Sequence, residues 1–137
     1  VKSCKKRIKH EYKGRIEDLR KLFYAYQKGE EDKYSDELGT FLEYGLCFDY
    51  VAPNTFRDQP EGYFRYQLSW GGPQDEFRFY AHPDDTFPGL IEYWFLDWFD
   101  GAKLEVIGKD YLLLSEIWQF FQEIGTVAAE YEKAVGL

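Results

Sequence analysis

Between residues 63 and 80 the side chains alternate in character, and that alternation limits the fold more than any other feature. In "GYFRYQLSW", Phe64, Tyr66, Leu68 and Trp70 share one parity, while Tyr63, Arg65, Gln67 and Ser69 share the other. In "EFRFYA", Phe77, Phe79 and Ala81 oppose Glu76, Arg78 and Tyr80. Successive side chains of a strand point to opposite faces, so a period of two predicts two half-buried strands. Gly71-Gly72-Pro73-Gln74 between them predicts a hairpin turn whose glycines supply positive φ. The same glycines do not read as a phosphate cradle. They lack the lysine pattern of a nucleotide loop, they open no helix, and Asp75 and Glu76 would repel an anion.

The flanks carry a different period. All five prolines fall between positions 53 and 88, which leaves both ends free to be helical. From Ser3 to Lys28, Cys4, Ile8, Tyr12, Ile16, Leu19, Leu22, Phe23 and Tyr26 recur at steps of three and four. This predicts an amphipathic helix with Ser3 as N-cap and Gly29 as its stop. Gly14 should weaken its middle by about 1 kcal/mol relative to alanine. The polar run 30–33 reads as a loop, and Ser35 as the cap of a short helix reaching Tyr44 and closed by Gly45.

"LCFDYV" is a first strand by composition, and "LIEYWFLDWF" a strand apolar on both faces. Asp100-Gly101 reads as a tight turn into "AKLEVI". Asp110 then opens one long helix along Leu114, Ile117, Trp118, Phe121, Ile124, Ala128, Tyr131 and Val135. The sum is a single α+β domain over 1–137. It has a basic helix over 1–28, an antiparallel sheet of about five strands within 46–107, and a helix over 110–135. Both helices should pack mainly on one face.

Charge separates the first helix from the rest. The net of −8 divides into +7 on residues 1–28 and −15 on residues 29–137. A basic head on an acidic body implies charged partners, or a helix that docks on the body's own acids. Lys5, Lys6, Arg7, Lys9 and Lys13 are the cations placed to meet phosphates, with sheet aromatics stacking on bases. The body's negative charge opposes that reading. Aromatic residues make up 20% of the chain, more than one small core absorbs, so some should lie on a wet or partner-facing surface.

Few residues carry catalytic chemistry. His82-Pro83-Asp84-Asp85 places an imidazole beside carboxylates after a strand, a setting suited to a general base and equally to a turn. Cys4 and Cys47 have neither zinc nor redox spacing and are expected as free thiols. No catalytic residue, metal ligand or cofactor is therefore assigned. No apolar run reaches the roughly 20 residues of a membrane span, and no signal-peptide pattern precedes the basic start, so a cytoplasmic setting without membrane contact is expected. Without a methionine and with Val1 first, the chain is expected to begin downstream of its natural initiator.

The segments "EYGLCFDYV", "RYQLSWGGPQDEFRFY" and "EYWFLDWFDGA", within residues 38–105, resemble small uncharacterised acidic proteins carried by bacterial plasmids and other mobile elements. The resemblance implies a bacterial, cytoplasmic, accessory setting and brings no activity or site residue. The leading expectation is a non-enzymatic protein that binds a protein partner through Tyr63, Arg65, Gln67, Arg78 and Tyr80, or through its acidic body. Nucleic-acid binding by the basic helix, a small enzyme around His82, and homo-oligomerisation are the alternatives.

Overall fold

Each strand pairs with its neighbour in sequence, so the sheet is an antiparallel meander in the order β1-β2-β3-β4-β5. The computed structural model describes residues 2–136. Its strands are β1 (Cys47–Val51), β2 (Tyr63–Ser69), β3 (Pro73–Tyr80), β4 (Leu90–Asp97) and β5 (Asp100–Glu105). The helices are α1 (Cys4–Gln27), α2 (Phe41–Tyr44), α3 (Gly108–Glu123) and α4 (Thr126–Val135). The fold is α+β, as the alternation and the flanking helical periods require. No helix of the described residues is long and apolar enough to cross a membrane.

The expected parity holds through most of β2 and β3. Phe64, Tyr66, Phe77 and Phe79, with Ile91, Tyr93 and Phe95 of β4, are buried in one core with the helices. Trp118 of α3 is its centre, with Phe64 at 4.9 Å and Phe79 at 5.6 Å between ring centroids. Fully burying an aromatic side chain of this kind stabilises by about 1.5–3 kcal/mol.

Helix α1 ends as its sequence predicts. Gly29 adopts φ 74°, and the Glu30 N–H reaches back to the Ala25 carbonyl at 2.8 Å, a Schellman-type closure. Ser3 stands at the N-cap position, but its side chain makes no capping bond. Asp100 takes that role from β5, accepting the Cys4 N–H at 2.8 Å.

Six local expectations are corrected. Trp70 does not continue the buried parity, because the β2–β3 register shifts between Gln67 and Ser69, and a bulge there reorients the chain entering the turn. Of the two turn glycines, only Gly71 has positive φ. Residues 31–34 form a 3₁₀ turn rather than a loop, and the short helix begins at Phe41 after Thr40, since Gly39 at φ 76° breaks any helix from Ser35. Asp100-Gly101 lies in β5, and the two-residue turn is Trp98-Phe99, flanked by the pair Asp97 and Asp100. The C-terminal helix is two helices, since Gly125 at φ 84° stops α3 and lets α4 turn until Tyr131 lies 4.9 Å from Tyr50 of β1.

Candidate functional site

The helices cover one face of the sheet; the other is floored by polar and aromatic side chains arranged in cross-strand rows. Strand register places Asp49, Arg65, Arg78 and Glu92 in one row, and Gln67, Glu76, Trp94 and Lys103 in the next. Arg65 and Arg78 are direct neighbours, a destabilising pairing unless each cation has its own carboxylate. Each has one. Arg65 binds Asp49 through two bonds of 3.0 and 2.7 Å, and Arg78 Nε donates to Glu76 Oε2 at 2.7 Å. The hydrogen bonds to Asp49 raise the Arg65 pKa still further, against the effect of burial.

Arg78 is held in a clamp of rings. Its guanidinium carbon lies 3.7 Å from the Trp94 ring centroid and 4.4 Å from that of Tyr63. Both distances suit cation–π attraction, which strengthens where water is excluded. Trp94 is oriented in turn by donating its indole N–H to Glu92 at 3.1 Å, and Lys103 pairs with the same carboxylate at 3.4 Å.

The β1–β2 connection forms a wall beside this floor. Gln59 shapes it, its Oε1 accepting the N–H groups of Thr55 and Phe56 at 2.9 and 3.0 Å while its Nε2 donates to the Ala52 carbonyl at 3.1 Å. Between wall and floor lies a cleft of about 450 Å³ bordered by Phe56, Arg57, Tyr80, Trp94 and Lys103. That volume falls within the range of ligand pockets, roughly 300–1,000 Å³. Burial, with the nearby Glu92 charge, pushes the Tyr80 phenol up to about 12, so it stays a neutral donor at the cleft edge.

The five side chains expected to form a contact surface divide here. Arg65, Arg78 and Tyr80 remain partly accessible. Tyr63 and Gln67 do not, with exposures of 1% and 6%, because Arg78 stacks on the Tyr63 ring and Gln67 lies beside Glu76. Those two are floor, not contact points. The Tyr63 hydroxyl and Gln67 Nε2 are buried without a protein partner among the described residues. Sequence reading missed Trp94, Lys103, Phe56 and Gln59. The first two were legible as the outward parity of β4 and β5, but the Gln59 bonds to backbone leave no periodic signal.

The other predicted clusters resolve differently. The His82 N–H donates to Asp85 Oδ2 at 2.9 Å, and the Asp85 N–H returns to the His82 carbonyl at 3.0 Å, closing a turn. Carbonyls of Pro83 and Asp85 then accept from Gln122 and Trp118 of α3, so this loop anchors the helix. The candidate acid–base pairing does not form: the Asp85 carboxylate is spent on backbone, and the exposed Asp84 carboxylate has no hydrogen-bond partner among the described residues. No group of three or more His, Cys, Asp or Glu among the described residues could hold a metal.

Helix α1 spends three arginines on the body. Arg7 meets Asp97 at 2.6 Å, Arg15 meets Asp75 at 2.7 Å and Arg20 meets Asp110 at 3.0 Å. Arg7, expected among the phosphate contacts, also stacks 4.7 Å from the Phe95 centroid and is committed to the fold. Lys5, Lys6, Lys9 and Lys13 stay exposed. The chain matches no family model, no curated protein and no solved structure.

Proposed function

We propose that this protein is a non-enzymatic accessory protein of a bacterial mobile element, acting in the cytoplasm by binding a protein partner through the helix-free sheet face. One observation carries the reading: a cleft floored by Arg78 between Tyr63 and Trp94 and walled by a loop that Gln59 holds in shape. Trp, Tyr and Arg dominate binding hot spots because they bury large areas and keep a polar tip. A floor and wall held by their own bonds lose little further freedom on association, which favours affinity. The border mixes Arg57 and Lys103 with Glu61 and Glu92, suiting a partner segment of mixed charge.

The test compares the wild-type chain with Trp94→Ala and Lys103→Glu as baits for bacterial lysate, at low and high salt. A partner held by the wild type and lost from both variants supports the reading. Capture unaffected by either substitution, or no capture at all, overturns it. A dimer seen by light scattering that dissociates in Trp94→Ala identifies the partner as a second copy of this chain.

A further inference from the structure

The largest exposed apolar side chains lie away from that cleft. Trp98 and Phe99 form the β4–β5 turn, with Trp98 88% exposed and Phe99 fully so, and Trp70 enters the β2–β3 turn at 70%. Pro73 pairs with Asp97, so the two turns project side by side from one end of the sheet. None of the three rings stacks on another aromatic ring of the described residues.

The amino end of α1 is tied to the same place by Cys4 to Asp100 and Arg7 to Asp97. Lys2, Gly72, Pro73 and Trp98 there border one cleft of about 620 Å³. Lys2 precedes the N-cap, and from there Lys5, Lys6, Lys9 and Lys13 climb the helix, all five exposed. At 100° per residue the four helical lysines fall within a stripe about 100° wide, and at 1.5 Å per residue they run about 12 Å. No ion pair joins any of the five to a carboxylate among the described residues. The two acids at the cleft are occupied, Asp97 by Arg7 and Asp100 by the amides of Cys4 and Gly101. Glu11, the one acid among residues 2–13, lies on the opposite side of the helix from the row.

We infer that this end of the molecule binds single-stranded nucleic acid, with phosphates along the lysine row and bases stacked on Trp98, Phe99 and Trp70. Unpartnered cations in a line match a linear polyanion, and unstacked rings match bases whose faces are free. A duplex keeps its base faces covered, so the turn aromatics would gain nothing from it. Exposed charges more than about 8–10 Å apart are screened at physiological salt, so of the body's acids only those at this end oppose contact. Chief among them is the exposed Asp100, which its amide partners hold in the charged form. The surface shares no residue with the Trp94 cleft.

Fluorescence anisotropy of a labelled single-stranded oligonucleotide of about 20 nucleotides tests this, against the matching duplex and over a salt series. The single strand should bind more tightly, with log affinity falling against log salt at a slope of about −0.7 per phosphate met. Lys5→Glu with Lys9→Glu should weaken binding at least tenfold and flatten that slope. Trp98→Ala with Phe99→Ala should weaken it about tenfold and leave the slope unchanged. Circular dichroism confirms the fold of each variant, and Trp94→Ala should bind as the wild type does. No binding at low salt, equal binding of the duplex, or wild-type affinity in either double variant would overturn the inference. So would binding to phosphatidylserine vesicles without binding to the oligonucleotide.

Discussion

Arg15 grips Asp75 through bonds of 2.7 and 3.0 Å, joining the middle of α1 to the start of β3 across 60 residues. The Asp75 carboxylate, 2% exposed, also accepts from the Tyr93 hydroxyl at 2.6 Å and the Ser69 hydroxyl at 2.5 Å. Arg15 continues outward to the Tyr44 hydroxyl, which donates to Asp18 at 2.6 Å. Removing one partner of such a pair strands the other charge in a dry place. Arg15→Ala should therefore cost about 3–5 kcal/mol in urea denaturation. Asp75→Asn, which leaves a less buried cation, should cost less.

Arg78 offers a test of geometry against charge. Arg78→Lys keeps the cation but loses the planar group that lies against Trp94 and Tyr63, so it should destabilise by about 1–2 kcal/mol. Arg78→Ala also strands Glu76, 1% exposed, and should cost more. Thermal melts rank the two; an Arg78→Lys variant as stable as the wild type would show that the stack contributes nothing.

Two glycines should resist alanine for different reasons. At Gly125 a Cβ meets open space but φ is 84°, so Gly125→Ala should cost about 1–2 kcal/mol of backbone strain. At Gly45 φ is an ordinary −84°, but a Cβ would stand 2.2 Å from Tyr66 Cε1, an overpacking worth about 1–3 kcal/mol. A Tyr66→Leu background should soften the second loss and leave the first unchanged.

Alkaline pH should unfold the protein cooperatively. Burial is the first cause of raised phenol pKa values at Tyr12, Tyr44, Tyr50, Tyr63, Tyr66, Tyr80 and Tyr93. A folded pKa above the unfolded value of about 10 means that the native state holds the proton longer. Their contribution is complete below pH 10 and declines as pH rises through the folded values, about 12 for Tyr80. Tyrosinate absorbance should consequently lag at first and then rise together with the loss of far-ultraviolet dichroism. Gradual ionisation of all the phenols in a folded chain would contradict this.

The two thiols should be distinguishable without denaturant. Cys47 is exposed and Cys4 is buried under the first turn of α1. A colourless disulfide reagent that releases a chromophore should modify Cys47 readily and Cys4 only as the helix end opens. Asp100→Ala, which removes the bond to the Cys4 N–H, should accelerate the second reaction.

What could be read in advance followed from local periods, and what could not depended on side chains meeting across the fold. Alternation at 63–67 and 76–80 predicted the two faces, because parity survives as long as register does. Trp70 escaped because the shift at Leu68 accompanies the Ser69–Asp75 bond, made across the turn. Gly125 escaped because the apolar steps of α3 continue into α4 without a break in period. Asp100 looked like a turn residue, and in the fold it caps a helix 96 residues away. At the site, Tyr63 and Arg78 could be placed on one face, but their stacking could not, so a buried floor was expected to be an open contact surface.

The tie between Cys4 and Asp100 also has a consequence for biosynthesis. Helix α1 is translated before the sheet, and its anchors at Asp75, Asp97, Asp100 and Asp110 come 60 to 98 residues later. At about 5–20 residues per second, its apolar side waits roughly 3–20 s for the surface that covers it. A nascent-chain holding factor that recognises amphipathic helices would find its longest opportunity there, while the meander behind it can zip strand by strand as it leaves the ribosome.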